Sequence, residues 1–382
     1  MELDLNKLRE EINEIDNGIV ELFKRRMNIA ASVAEYKREN GLPVLDAARE
    51  RALLSRVSDM AGEEFDIYAR TLYHTMLDVS RSYQHTKLNG DSEIYKDIER
   101  RLESGEKTLP SRASVACQGV EGAYSQIAAE KLFELPSISY YSSFDEVFGA
   151  IERGECKYGV LPIENSTAGS VKKVYELMLC HSFSIVRSVR LKIDHSLLSK
   201  RGTKLSDIKE IYSHEQAINQ CSEFLRNNPQ IKVTIVQNTA LASKMVAESE
   251  RRDVAALSSR FCAELYGLDT IASAVQDMGN NYTRFICISK EPEVYPGADK
   301  VTLMLVTPNK PGALYNVLSC FNALGVNMTK LESCPLPERD FESMFYFDFT
   351  VSVYSDTLKR LLCELEARSE RFKLLGAYTE II

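Results

Sequence analysis

Nine cysteines stand scattered along 382 residues, and no two of them have the two-residue spacing of a metal knuckle or a redox pair. An odd, unpatterned set argues against both a disulfide framework and a structural zinc site, and leaves buried or incidental thiols. The five histidines form no ligand pair at helical spacing, so no metal is assigned. No apolar run approaches the roughly 20 residues that span a bilayer, and the acidic start at residues 1–4 does not read as a signal peptide. A cytoplasmic protein without a membrane partner is therefore expected. The net charge of −8 argues against nucleic acid as a general partner, with local basic clusters left open. Internal repeats and low-complexity tracts are also lacking.

A hydrophobic content of 44% supports real cores, and the length suits two or three compact domains. From residue 5 to about 39 there is no proline and only one glycine, Gly18. Apolar residues recur there at Leu5, Leu8, Ile12, Ile15, Ile19, Leu22, Ile29 and Val33, a heptad-like seam on one long helix. At 1.5 Å per residue such a helix is about 50 Å long, more than a compact unit of this size covers, so a second chain is expected over the rest. Gly41-Leu42-Pro43 breaks it, Asp46 caps a second helix, Gly62 ends that, and 65–85 forms a third. Residues 88–111 are polar, close with Pro110, hold only a weak helical pattern at 94–102, and read as a linker. From 113 onward β-branched runs such as 115–117 and 158–163 alternate with helical stretches such as 216–226 and 239–247, an α/β signature. After a Pro- and Gly-containing spacer at 292–298, the order βαββαβ predicts a ferredoxin-like fold.

Two polar clusters each adjoin an apolar strand-like run. One is Pro162-Ile163-Glu164-Asn165-Ser166-Thr167-Ala168-Gly169-Ser170, and the other Asn281-Tyr282-Thr283-Arg284-Phe285. Ligands of open α/β sheets bind outside strand ends, so both clusters could face one cleft; two ordinary loops are the alternative. In the first helix Arg26 interrupts the apolar stripe, and Lys37 lies three turns further, about 16 Å along the axis. A buried guanidinium needs an anionic partner. A small dianion between the two cations, a buried salt-bridge network, or snorkelling to solvent would each supply an answer. Arg49 and Glu50 share the face of Leu53, Leu54 and Val57, while Ser80 and Gln84 continue the face of Tyr73, Met76 and Leu77.

The strand-end clusters resemble the signature of prephenate dehydratases, and Ser213-His214-Glu215-Gln216 resembles a third segment of that family. The spacing Arg9, Arg26, Lys37, Asp46, Arg49, Glu50, Ser80, Gln84 resembles the all-helical chorismate mutases. Pro311-Gly312-Ala313-Leu314 and Leu331-Glu332-Ser333-Cys334-Pro335 resemble the phenylalanine-binding segments of ACT domains, with Cys334 where the family usually has arginine. This order is similar to the bifunctional enzymes of phenylalanine biosynthesis, and the absence of a Gly-x-Gly-x-x-Gly run weighs against the sister arrangement with a dehydrogenase.

The resemblance implies a multidomain chain: an all-α mutase domain at 1–90, a linker at 91–111, and an α/β two-lobed, periplasmic-binding-protein-like dehydratase domain at 112–290. A second linker at 291–299 and an α+β ferredoxin-like ACT domain at 300–382 would follow. In the mutase, Arg26 and Arg9 of the partner subunit would clamp the carboxylates of chorismate. Lys37 and Gln84 would meet its ether oxygen and Glu50 its hydroxyl, with Asp46, Arg49 and Ser80 completing the site. In the dehydratase, Thr283 would protonate the leaving hydroxyl of prephenate beside Arg284, and Phe285 would shape the pocket. Glu164, Asn165, Ser166, Thr167, His214 and Gln216 would complete substrate binding, although a lone histidine such as His214 is more often structural. Gly312, Ala313, Leu314, Glu332 and Ser333 would hold L-phenylalanine. No cofactor is implied, and a homodimer or homotetramer is. A dehydratase preferring arogenate and a non-catalytic sensor are the rival readings.

Overall fold

A computed structural model describes residues 4–89, 92–309, 311–335 and 343–382. Residues 1–3 of the acidic start and the junction at 90–91 between the expected mutase domain and linker lie outside these residues. Packing divides the chain into two compact units. One comprises Met1–Asp97, Val306–Asn327 and Tyr354–Phe372, and the other Ile98–Leu305, Met328–Val353 and Lys373–Ile382.

The first unit is helical. Asp4 caps the helix Leu5–Glu39 through the Asn6 amide at 3.0 Å, and the 35-residue length matches the uninterrupted seam. Asp46 accepts from the Arg49 amide at 3.0 Å and starts the helix Ala47–Asn89, which Gly62 interrupts at φ 71°, a left-handed value that suits glycine. Of the first helix only Ala30 and Ala34 are buried. The seam is bare, with Ile15 61% and Leu22 67% exposed. The helix Asp356–Arg368 packs against Ala47–Asn89, where Arg368 donates to the Asp78 carbonyl at 3.4 Å, and also against Ala313–Ala323.

In the second unit a seven-stranded sheet runs Glu380–Ile381, Ser184–Lys192, Tyr282–Ser289, Tyr158–Asn165, Arg112–Gln118, Leu135–Tyr141, with the short strand Gly169–Ser170 paired to Tyr158–Asn165. A five-stranded sheet runs Asp269–Ala272, Ser196–Ser199, Val254–Ser258, Glu210–Ser213, Lys232–Ile235. Each sheet has its own core: Val115, Val160, Val189, Phe285 and Cys287 pack in the first, and Leu197, Ile211, Ala255 and Leu257 in the second. The chain crosses from the first sheet to the second at 193–195 and returns at 273–281, so the two lobes share two crossings. A four-stranded sheet runs Asn327–Pro335, Ser343–Thr350, Lys300–Val306, Arg371–Tyr378, and with its two helices follows the expected chain order βαββαβ. Gly376 lies so close to the Ile185 carbonyl that a Cβ there has no room.

The structure corrects the sequence reading in three places. The expected linker 91–111 holds the helix Glu93–Ser104, with Tyr95, Ile98 and Leu102 buried. The single helix expected at 216–226 is two, Glu215–Gln220 and Ser222–Arg226, parted at Cys221. The strand Leu135–Tyr141, absent from the reading, carries Pro136 at the edge of its sheet, where a missing N–H is tolerated.

Candidate active sites

In the helical unit the two cations of the first helix, Arg26 and Lys37, are both partly buried. Arg26 is half-buried, and its Nη1 is buried without a hydrogen-bond partner among the described residues. Lys37 Nζ donates to the Val44 carbonyl at 2.5 Å. Gln84 and Ser80 are buried side by side, Nε2 to Oγ 3.4 Å, and Gln84 Oε1 has no partner among the described residues. Buried orphan groups cost free energy unless a ligand satisfies them, so Arg26 and Gln84 mark a polar site. Asp46 acts as the helix cap, and Arg49 is exposed. Glu50 is gripped by Arg81, which also holds Asp78, so Arg81 belongs to this polar face although the sequence reading missed it. Arg9 is exposed, 17 residues before Arg26 on one continuous helix and therefore about 25 Å away, too far to serve the same site in its own chain.

In the two-lobed unit a cavity of about 510 Å³ is lined by Thr167 and Asn281, by His214, Gln216 and Gln220, and by Asp277 among others. Such a volume suits a small polar metabolite. Asn165 organises its wall. Its Oδ1 accepts from the Thr167 amide (3.0 Å), the Thr167 hydroxyl (2.7 Å) and the Ala168 amide (2.8 Å), folding 165–168 into a tight polar turn. Its Nδ2 donates to Asn281 Oδ1 at 2.7 Å and to Thr283 Oγ1 at 2.9 Å. Thr283 is buried one step behind the lining residues, and its hydroxyl hydrogen is left for another acceptor. Ser166 braces the second cluster, accepting from the Tyr282 amide and donating to the Asn280 carbonyl, both at 2.9 Å. His214 Nδ1 accepts from the Gln216 amide at 3.2 Å and caps a short helix, so its structural role is visible in the fold.

Glu164 and Arg284 do not join this wall, contrary to the expected substrate contacts. Thr283 pairs with Asn165 across antiparallel strands and Arg284 with Glu164, and successive residues of a strand face opposite sides. Arg284 Nε lies 2.7 Å from Glu164 Oε1, its Nη2 pairs with buried Asp348, and Lys330 Nζ reaches Glu164 Oε2 at 2.6 Å. Burial disfavours the Arg284 charge, but Tyr378, Asp348, Tyr346 and Glu164 outweigh it and raise its pKa. Burial likewise opposes ionisation of Glu164, while Arg284 and Lys330 hold its carboxyl below the usual range. Ser170 donates to Glu332 at 2.6 Å, so this strand of the expected effector site is also tied to the seven-stranded sheet. Phe285 is in the core of that sheet and is not among the residues lining the cavity. Of the other expected effector residues, Gly312 caps the helix Ala313–Ala323 with φ 82°, Leu314 lies in its first turn, and Ser333 is on the strand Asn327–Pro335.

Gln220 and Asn281 complete the wall, His195 stands behind Gln220, and none of the three carries an assigned role in the sequence reading. Gln220 bonds Thr167 and Asn281, both at 2.9 Å, and His195 at 3.0 Å. Asn281 stands in the quoted cluster, but nothing in the sequence joins Gln220 or His195 to it.

A cleft between two α/β lobes, walled by amides and hydroxyls, together with a separate helical unit bearing orphaned polar groups, defines an enzyme with two small-molecule sites. The sequence matches the Prephenate dehydratase family over residues 115–293 and the Chorismate mutase type II family over residues 8–85. It is 32% identical to the bifunctional chorismate mutase/prephenate dehydratase of Escherichia coli (strain K12), covering 97% of this chain and 95% of that protein. It is 36% identical to the chloroplastic arogenate dehydratase/prephenate dehydratase 2 of Arabidopsis thaliana, covering 70% of this chain and 73% of that one. Among solved structures, the prephenate dehydratase of Arthrobacter aurescens in complex with L-Phe superposes with a TM-score of 0.64 at 25% identity, over 70% of this chain and 89% of that one. The chain belongs to the bifunctional chorismate mutase/prephenate dehydratase family and is an enzyme of both kinds. No helix among the described residues is long and apolar enough to cross a membrane.

Proposed function

We propose that the helical unit rearranges chorismate to prephenate in a site that two chains complete, and that the two-lobed unit converts prephenate to phenylpyruvate for phenylalanine synthesis. The pericyclic shift needs no nucleophile, only a folded dianion and positive charge at the breaking ether bond. Arg26, Lys37 and Gln84 would supply these, with Arg9 of the partner subunit clamping the far carboxylate and Glu50 holding the hydroxyl. The bare apolar seam from Leu5 to Val33 supports this pairing, because such a stripe is stable in water only when covered.

In the second reaction the ring hydroxyl leaves with a proton as water while the ring carboxylate departs as carbon dioxide, and the freed electron pair completes the aromatic ring. The Thr283 hydroxyl is the proton donor. The observation that carries this reading is the Asn165 amide donating to Thr283 Oγ1, which directs the hydroxyl hydrogen away from Asn165. His214 and Gln216, which line the cavity, receive the substrate's polar groups. The name of the Arabidopsis relative supports arogenate as a second substrate, since it differs from prephenate only by an amine in place of the keto group. Purified protein given chorismate, prephenate and arogenate in turn, with phenylpyruvate and phenylalanine followed, tests the assignment; consumption of neither chorismate nor prephenate refutes it.

The βαββαβ segment is an ACT domain that binds L-phenylalanine through Gly312, Ala313, Leu314, Glu332 and Ser333 and lowers dehydratase turnover. The L-Phe complex of the Arthrobacter enzyme supports this. Cys334, in place of arginine, weakens the response, and Cys334→Arg tightens it. Calorimetry showing no binding of phenylalanine to the intact protein refutes this part alone.

A further inference from the structure

The Gln220 carboxamide joins both lobes and both crossings of the chain. From the second-lobe helix its Nε2 donates to Thr167 Oγ1 of the first lobe at 2.9 Å. Its Oε1 accepts from Asn281 Nδ2 on the returning crossing at 2.9 Å and lies 3.0 Å from His195 Nε2 on the outgoing crossing. The bonds then run in one sense. Thr167 Oγ1, accepting from Gln220, turns its hydrogen to Asn165 Oδ1 at 2.7 Å. Asn165 Oδ1, which also accepts from the Thr167 and Ala168 amides, is thereby fixed as an acceptor, and Nδ2 faces Asn281 Oδ1 and Thr283 Oγ1. Reversing the Gln220 amide would set its oxygen against the lone pairs of Thr167 and its NH2 against that of Asn281.

The sense is fixed by the Thr167 and Ala168 amides and ends at His195. Gln220 Oε1 is an acceptor, so the ring nitrogen beside it must be a donor, which selects the Nε2–H tautomer. The other nitrogen, Nδ1, is buried without a hydrogen-bond partner among the described residues. Protonation would place a second, unsatisfied donor there; burial accordingly lowers the pKa of His195 from 6.5, against smaller opposing effects of Gln220 and Asp194. The Asp194 carboxylate is itself engaged by Lys192 at 3.1 Å and Gln276 Nε2 at 2.8 Å. The His195 backbone is held on the crossing, its amide donating to Gln276 Oε1 and its carbonyl accepting from the Val275 amide, both at 2.9 Å.

We infer that His195 is a positioning residue for dehydration: as the neutral Nε2–H tautomer it donates to Gln220 Oε1 and holds the carboxamide where it ties Thr167 and Asn281 into the pocket wall. It touches no substrate. The inference rests on the assignment of prephenate dehydration to this pocket and adds the residue that holds its wall in place.

Two variants of the full chain test it. His195→Leu retains bulk and loses the donor, whereas His195→Gln offers an amide N–H in place of Nε2–H. The leucine variant should lose about 10- to 100-fold in dehydratase kcat, the scale of a misplaced reacting group, with little change in KM for prephenate. The glutamine variant should recover most of that loss, and mutase turnover and Tm should stay near wild type in both. Wild-type kcat in His195→Leu overturns the inference, as does a glutamine variant as slow as the leucine variant at equal Tm. Nitrogen-15 NMR of the wild-type histidines reads the tautomer without any substitution: neutral Nε2–H at neutral pH is expected, and an Nδ1–H tautomer or an imidazolium overturns the inference. A wild-type protein that leaves prephenate untouched overturns the pocket assignment instead, and the tautomer remains measurable.

Discussion

Asn165 and Thr283 stand opposite each other on antiparallel strands, with Asn165 Nδ2 2.9 Å from Thr283 Oγ1. The neighbouring pair Glu164–Arg284 occupies the opposite face, and the register shifts just beyond, between Arg284 and Phe285. A bulge at this point re-aims side chains beside a site. One cross-strand pair thus serves the pocket while the next joins the sheet to Lys330 and Asp348 of the C-terminal segment.

Asn165→Asp keeps the acceptor for the 167–168 turn and deletes the donor to Thr283 and Asn281. Dehydratase kcat should fall by about 10²- to 10³-fold, as when one preorganised donor is removed. Steady-state assays with prephenate check this, with mutase turnover unchanged in the same sample.

For the mutase, Lys37→Ala should lower turnover by about 10²- to 10³-fold and spare dehydration. Arg9→Ala and Arg26→Ala should each be inactive alone. A mixture refolded together should regain activity, because a mixed dimer has one site with both arginines. No recovery, with mixed dimers shown by mass spectrometry, would place both arginines in one chain's site or neither.

Arg284→Met should unfold at a lower temperature because it leaves Asp348 buried without its ion-pair partner, a loss of about 3–5 kcal/mol for such a pair. A substrate-binding arginine would instead raise KM at unchanged Tm. Thermal melts and KM for prephenate, taken together, separate the two roles.

Glu210 accepts from Lys232 at 2.9 Å, Thr234 at 2.7 Å and Arg251 at 2.6 Å, which lowers its pKa from 4.5 to about 2. A carboxyl with a depressed folded-state value stabilises the protein above the unfolded value near 4.5, and that stability fades as pH falls toward about 2. Glu210→Gln should lower Tm by about 2–4 °C at neutral pH, with the difference shrinking across that acid window. Scanning calorimetry against pH checks it.

Much of this was legible in the sequence, for physical reasons. A heptad seam, Asp46 as a cap and Gly62 as a break are local signals, and all three elements form where they predict. Thr283 and Asn165 are legible as members of polar strand ends. Strand alternation also shows that Arg284 cannot share a face with Thr283, a signal present but unused. Leu135–Tyr141 was obscured by Pro136, tolerated only because the strand is at an edge. Glu93–Ser104 was obscured by charge density, though it buries Tyr95, Ile98 and Leu102. Gln220 reaches the pocket, and His195 reaches Gln220, through tertiary packing, for which neither spacing nor periodicity gives a cue.

The most direct measurement is the rate of phenylpyruvate formation from prephenate in Thr283→Ala and Thr283→Ser, with mutase turnover as the internal control. The alanine variant should lose about 10²- to 10⁴-fold in kcat, the range for a positioned proton donor, and the serine variant should keep a measurable part because its hydroxyl can still accept from Asn165. Equal rates in the two variants would contradict the assignment of the Thr283 hydroxyl as the acid.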